Sequence, residues 1–201
     1  MRDLTDFLPH VMLHAMACAD PVAVKYLREA AVEFCTRTRV WRETDEFTTV
    51  ADDIEVVCVP PYAALHEIEA AWFNGYELEA ARFKQTFGPD EQEGGQPRWI
   101  TQVAPDRVSL VPKGAGLLRI SMFLKPAEDT EVVPAFLFDH FAREIGWGAL
   151  RDLKMLPNQP FSDPQMGMAF GARFEAALNR FSAANIRGQQ RAKGRANARY
   201  F

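Results

Sequence analysis

Residues 163–184, DPQMGMAFGARFEAALNRFSAA, hold the clearest helical pattern in the chain and indicate its fold class. Asp163 can cap a helix, and Pro164 can take the first helical position, where a missing N–H costs nothing. Apolar side chains then recur every three or four residues on one predicted helix face: Met166, Phe170, Phe174, Ala177, Phe181 and Ala184. A helix with one apolar face needs partners that cover it.

Three other segments predict helices that can supply this cover. A short helix is expected over residues 5–17, beginning or interrupted near Pro9. A longer one follows, with Asp20 as its predicted N-cap and Pro21 at its first position. Its face comprises Val24, Leu27, Ala31, Phe34 and Thr38, and its other side carries the i,i+4 pairs Lys25–Glu29 and Glu33–Arg37.

A third helix is predicted after Pro126, because positions 133, 137, 141, 145 and 148 are apolar or small. Pro134 can occupy its first turn. The linker that follows, PNQPFSDP, is short and rich in proline.

The middle of the chain has strand-like patterns. FTTV and IEVVCVPP are rich in β-branched residues, and Asn74-Gly75 is a hairpin signal because both residues accept positive φ. Three more strands are predicted at 98–103, 106–111 and 116–124. We therefore expect an antiparallel sheet region.

The order of these elements predicts an α+β fold. Residues 1–45 and 126–187 would form one helical bundle from both chain ends, and residues 46–125 an inserted antiparallel β subdomain. Residues 188–201 would form an extended basic C-terminal tail.

Charge is distributed unevenly along the chain. The whole protein carries −4, and its last 15 residues hold five positive side chains and no negative one, so the other 186 residues carry −9. This asymmetry argues against nucleic-acid binding by the whole surface and indicates a tail with a separate role. An aromatic pair at the end suits a segment that fills a pocket, while arginines pair with carboxylates. The residues concerned are Arg187, Arg191, Lys193, Arg195, Arg199, Tyr200 and Phe201.

The three cysteines do not predict a metal or redox site. Cys18, Cys35 and Cys58 match no zinc or redox spacing, and we expect buried free thiols, which suit a reducing cytoplasm. The N-terminus lacks the pattern of a signal peptide, and no stretch reaches about 18 apolar residues.

Two groups of residues that include histidines could have a chemical role, either metal binding or acid–base chemistry, instead of a packing role. His10 and His14 are four apart, as zinc ligands on a helix can be, but no third ligand is evident. His140 lies beside Asp139 and one turn before Glu144, an arrangement open to acid–base chemistry. In both places a packed histidine is the favoured interpretation. Residues 89–95, PDEQEGG, lack the ligand pattern of a calcium loop.

No nucleotide-binding glycine motif, Walker loop or GxSxG motif occurs. The sequence therefore predicts neither an enzyme nor a cofactor or metal site.

Read in order, nearly the whole chain resembles the head–tail adaptor proteins (connector or tail-tube A-like proteins) of tailed double-stranded DNA bacteriophages. The order of the segments carries this resemblance more than any one motif does. The segments are DFLPHV (6–11), PVAVKYLREAAVEFCTRTRVWRE (21–43), VADDIEVVCVPPYAALHEIEAAWFNGYELE (50–79), GGQPRWITQVAPDRVSLVPKGAGLLRISMFLKP (94–126) and VPAFLFDHFAREIGWGALRDLKMLPNQPFSDPQMGMAFGARFEAALNRF (133–181).

The resemblance implies a structural virion protein at the head–tail junction, made in the host cytoplasm. It implies a homo-oligomeric ring, usually of twelve copies, that binds the portal protein through the C-terminal tail. The β region would face the tail tube, nozzle or other tail proteins. Genomic DNA would pass through the channel without sequence-specific binding, and no membrane would be involved.

Other classes remain open from the sequence. One is a nucleic-acid-binding protein that grips phosphate with its tail, and another is a small hydrolase that uses carboxylates of the acidic body. A third is a different head-completion or tail ring protein. A tail terminator would be expected to be richer in strands.

Overall fold

The computed structural model describes residues 1–50, 53, 55–81 and 95–186, and the side chains of 183–186 lie outside that description. Its four α-helices and largely antiparallel sheets confirm the α+β class. The chain divides into two compact units. Met1–Val40 and the part from Glu131 onward form a helical unit, and Trp41–Thr130 form a β unit.

The first residues of the helical unit are less helical than predicted. Residues Leu4–Phe7 form a 3₁₀ turn, and α1 spans only Leu8–Met12, so the helix expected over 5–17 is wrong in its extent. Asp3 fixes the start, since its carboxylate accepts a hydrogen bond from the Thr5 N–H at 2.7 Å. Strand β1 (Arg2–Asp3) pairs with the later strand β10 (Val132–Val133).

Helix α2 spans Asp20–Thr38. It begins one residue before its predicted start, so Ala19 is the N-cap and Asp20 lies in the first turn, where its charge favours the helix N-terminus. The chain leaves the helix through Arg39, whose φ of 53° is left-handed. Both predicted ion pairs are confirmed, with Lys25–Glu29 at 3.8 Å and Glu33–Arg37 at 3.6 Å.

Helices α3 (Ala135–Leu153) and α4 (Pro164–Ile186) complete the helical unit. Asp163 caps α4 as predicted, because its Oδ1 accepts a hydrogen bond from the Met166 N–H at 3.0 Å. Phe170, Phe174 and Ala177 are buried, but Met166 is 39% exposed, so the first turn of the predicted face lies outside the core.

Aromatic rings fill the space among α2, α3 and α4. The ring of Phe34, from α2, is fully buried and has its centroid 5.0 Å from Phe141, 6.4 Å from Phe174 and 5.9 Å from Phe181. Phe141 and Phe181 meet edge to face at 4.9 Å. We call these four residues the phenylalanine cluster. It joins helices from both ends of the chain.

The β unit contains two four-stranded sheets. The first has the order β2-β9-β4-β5 and is antiparallel throughout, with β2 at one edge. Its buried face includes Leu118, Ile120, Met122 and Leu124 of β9. Its strands are β2 (Arg42–Thr49), β4 (Ala63–Phe73), β5 (Tyr76–Glu77) and β9 (Gly116–Pro126).

The second sheet has the order β3-β8-β7-β6 and corrects one expectation. Its β6–β7 pair is parallel, with Glu79 opposite Trp99 and Ala80 opposite Ile100. A parallel pair needs a long connection rather than a tight turn, and the chain between these strands is long. The strands are β3 (Val56–Val57), β6 (Glu79–Ala80), β7 (Trp99–Ala104) and β8 (Arg107–Val111).

The hairpin at Asn74-Gly75 is confirmed. The φ angles are 49° at Asn74 and 86° at Gly75, as a tight turn between β4 and β5 requires. Asn74 also braces the sheet, because its Oδ1 accepts a hydrogen bond from the Leu117 N–H at 2.9 Å.

Candidate interaction surfaces

The tail residues predicted to dock on a partner lie outside the described residues. This applies to Arg187, Arg191, Lys193, Arg195, Arg199, Tyr200 and Phe201. The acidic stretch at 89–95 also lies outside them, apart from Gly95. The described surfaces belong to the helical unit up to Ile186 and to the β unit.

The two N-terminal histidines pack against different aromatic rings. The ring of His10 lies 6.4 Å from that of Phe138 on α3, and the ring of His14 lies 5.0 Å from that of Phe170 on α4. Across residues 1–50, 55–81 and 95–186, no three His, Cys, Asp or Glu side chains are grouped as metal ligands. Both histidines are exposed, and each lies beside one aromatic ring.

His140 is exposed and lies against Phe141, with 6.1 Å between ring centroids. Glu144, one turn later, is buried and contacts guanidinium groups. Its Oε1 is 3.8 Å from Arg143 Nη2 and 3.5 Å from Arg180 Nη2. The Glu144 carboxylate is therefore paired with two arginine side chains.

The three cysteines are buried free thiols, as predicted. Burial raises the pKa of the Cys58 thiol from its ordinary value of 9.0 to about 11. Burial raises the pKa of the fully enclosed Cys35 thiol further, and that of Cys18 is also raised. These are unreactive thiols at neutral pH.

The raised thiol pKa values predict a loss of stability in alkali. Above about pH 9 the unfolded chain releases thiol protons while the folded chain keeps them, so unfolding becomes easier between pH 9 and about 11. The slope is at most about 1.4 kcal/mol per pH unit for each thiol. Urea unfolding at about pH 8 and about pH 10 measures it. The variant C35A/C58A should lose less stability over this interval, and an equal loss would contradict the assignment.

A charged network joins three helices of the helical unit. Arg151 of α3 contacts Glu33 of α2 at 2.9 Å, and Arg37 of α2 contacts Glu175 of α4 at 2.7 Å. Arg37 lowers the pKa of the Glu175 carboxyl through a hydrogen bond. In this network each arginine has close carboxylate partners.

Three other arginines have little carboxylate compensation, and they line a surface pocket of about 270 Å³ between α3 and α4. We call it the arginine pocket. Among the described residues that line it, Glu144 alone is acidic, so the lining has two excess positive charges. The lining residues are Arg143, Glu144, Trp147, Arg173, Ala176, Ala177 and Arg180.

Aromatic rings hold these guanidinium groups in place. The Cζ atom of Arg143 is 5.0 Å from the Trp147 ring centroid, that of Arg180 is 4.3 Å from Phe181, and that of Arg173 is 5.8 Å from Phe170. Cation–π contacts at such distances restrict a guanidinium without neutralising it. The pocket is therefore suited to an anionic group. The pocket was not predicted from the sequence, although Arg143 and Trp147 share an i,i+4 spacing and Arg173 and Arg180 an i,i+7 spacing.

The outer strand β2 of the first sheet has the opposite charge. In its sequence RETDEFTT, Glu43 accepts a hydrogen bond from Trp41 Nε1 at 2.9 Å, and Glu46 lies 4.0 Å from Arg119. Asp45 is exposed and has no ion pair among the described residues. We call β2 the acidic edge strand.

Three methionine side chains of the helical unit are largely exposed. Met16 is 81% exposed, Met168 62% and Met155 52%. The α4 backbone at Gly167 packs against the Met155 side chain. Flexible methionine side chains suit adaptable protein contacts.

No protein-family model matches the chain, and a search of curated proteins gives no significant match. Among the described residues, no helix is both long enough and apolar enough to cross a membrane.

Proposed function

We propose that the protein is a structural virion component that forms a ring between the portal and the tail of a tailed bacteriophage. The family resemblance implies twelve copies in this ring. The supporting observation is the division of the chain. Residues from both ends share one helical unit, and the segment between them forms a separate β unit. The family that the sequence resembles has this order of helices and strands.

In this proposal each part of the chain has its own partner. The helical unit forms the ring wall, the β unit faces tail proteins, and residues 188–201 extend as a tail that docks on the portal. Because each copy adds one tail, weak individual binding is sufficient for a firm joint. A body with net charge −9 lets the genomic DNA pass without adhering to it.

The experiment is to mix the full chain with its portal protein and measure the mass of the complex. A second chain that stops after Ile186 is compared with it. We expect the full chain to add a fixed, ring-sized number of copies and the shortened chain to add none. Circular dichroism of the shortened chain checks that its helices are intact.

A variant with a tail of unchanged length tests whether the terminal aromatic pair is itself needed for portal binding. Replacing Tyr200 and Phe201 with alanine keeps the tail's length and charge, and we expect it to weaken portal binding by about tenfold or more, since buried aromatic residues dominate such contacts. Full portal binding by the chain that stops after Ile186 would contradict the docking role of the tail. If the full chain itself fails to bind, the adaptor proposal is wrong.

Nucleic-acid binding through the basic tail is the second candidate, because the five positive side chains of residues 187–201, with no negative one among them, suit phosphate. DNA affinity measured across a range of salt concentrations tests it. A steep loss of affinity with salt, together with no portal binding, would favour this candidate over the adaptor.

A further inference from the structure

The arginine pocket and the acidic edge strand are complementary in charge, and they lie in different units of the chain. We propose that the arginine pocket of one copy binds the acidic edge strand of a second copy, with the Asp45 carboxylate between the guanidinium groups. This inference rests on the proposed ring and names the contact that builds it.

The pocket is prepared for a carboxylate. Glu144 is 7% exposed, and a buried carboxylate requires positive neighbours. One oxygen of Glu144, Oε1, lies 3.8 Å from Arg143 Nη2 and 3.5 Å from Arg180 Nη2. Each guanidinium group has other N–H groups that can donate to a second acceptor. These two side chains are 69% and 64% exposed. A second carboxylate can therefore reach them from outside.

Arg173 adds the third positive charge. Within residues 1–50, 55–81 and 95–186 it has no ion pair, and its guanidinium is held over Phe170. By contrast, Arg151 on the same pair of helices has two carboxylate partners within 2.9 Å. Among the described arginines of α3 and α4, the excess positive charge thus lies at the arginine pocket.

The acidic edge strand can enter such a pocket because it lies at the border of its sheet. Strand β2 pairs with β9 on one side, and on its other side no strand of the described residues pairs with it. Asp45 and Glu46 project to opposite faces of the strand, so a partner that approaches the edge meets both. An exposed edge strand with negative charges avoids pairing with copies of itself and favours a basic partner.

The occupant is a second copy rather than DNA for a geometric reason. A pocket of about 270 Å³ between two helices encloses one or two side chains, whereas a DNA backbone needs cations spread along a surface. A contact between two different surfaces also repeats from copy to copy in one direction. Such a heterologous contact closes into a ring when its rotation is suitable.

A charge exchange tests the contact in the full-length chain. Arg173→Glu and Asp45→Arg, each alone, should weaken self-association about tenfold or more, because like charges then meet. The double variant should recover association, since each interface again joins opposite charges. Sedimentation velocity from micromolar to near-millimolar protein, at low and high salt, measures all four chains.

Lys25→Glu and Glu29→Arg provide matched controls on α2, where both side chains are more than half exposed and outside the pocket. They should leave association unchanged. Mixing the two single variants gives a further check. The glutamate introduced by Arg173→Glu in one copy would then meet the arginine introduced by Asp45→Arg in the other, and association should return.

Three results would overturn the inference: no self-association of the wild-type chain, single variants that associate normally, or a double variant that does not recover. A change in salt-dependent DNA binding without a change in association would assign the pocket to phosphate instead.

Binding to the portal is measured in a separate experiment. A ring that assembles on the portal with either single variant overturns this contact and leaves the proposed function standing, whereas loss of portal binding by the wild type rejects the function itself.

Discussion

Replacing Phe34 with alanine should lower the free energy of unfolding by about 3–5 kcal/mol. The ring is fully buried, and three other phenylalanine rings lie within 6.4 Å of its centroid. Its removal leaves a cavity at the meeting point of α2, α3 and α4, and the rigid helices cannot close that cavity fully. Urea unfolding followed by circular dichroism measures the change.

Val22→Ala on the same helix is the control for Phe34→Ala. Val22 is 39% exposed, and alanine has the higher helix propensity, so stability should change by less than about 0.5 kcal/mol. A loss below about 1 kcal/mol for Phe34→Ala would mean that the phenylalanine cluster does not organise the helical unit.

Gly148→Ala should destabilise the helical unit by about 1–3 kcal/mol. An added Cβ would lie 2.8 Å from the Ala30 Cβ on α2 and 2.9 Å from the Phe174 ring on α4. Both neighbours belong to packed helices, so the helices must separate to admit the methyl group. Helix propensity alone predicts the opposite result, a gain of about 1 kcal/mol. Thermal and urea unfolding decide between them.

Gly171→Ala is the matched control for Gly148→Ala, because it is the same substitution in a helix of the same unit. Its added Cβ would meet only the Arg151 side chain, at 3.3 and 3.4 Å. That side chain has to shift by a few tenths of an ångström against its ion pairs with Glu33 and Asp152, which costs less than separating two helices. The loss of stability should therefore be smaller than for Gly148→Ala. Ala30→Gly combined with Gly148→Ala should recover part of the loss, and a loss of equal size at positions 148 and 171 would contradict the packing argument.

Features set by local chemistry were predictable from the sequence. The Asp163 cap and the Asn74-Gly75 turn depend on a few neighbouring residues, and both are confirmed. The buried stripe of α2 also follows from side-chain spacing alone, with Leu27, Ala31 and Phe34 in the core. At these positions the structure agrees with predictions made from neighbouring residues alone.

Features set by distant partners were not predictable. A helical stripe shows which side of α4 is apolar but not how far along its length other elements cover it, so the spacing does not show that Met166 at its start is 39% exposed. The burial of Glu144 depends on Arg180, which lies 36 residues away in sequence. The parallel β6–β7 pair depends likewise on where a long connection returns. The arginine pocket was not predictable for the same reason, because its lining residues come from two helices, α3 and α4, that meet only in the folded chain.

The helical unit is assembled from two separated pieces of chain, and this has a consequence during synthesis. The 90 residues Trp41–Thr130 must be translated after α2 and before α3. At about 5–20 residues per second, α2 waits roughly 5–20 s with Phe34 and its apolar neighbours uncovered. The β unit can meanwhile fold as soon as it leaves the ribosome. The nascent chain thus offers an apolar helix to chaperones until α3 and α4 have followed the β unit out of the ribosome, and only then can the helical unit close.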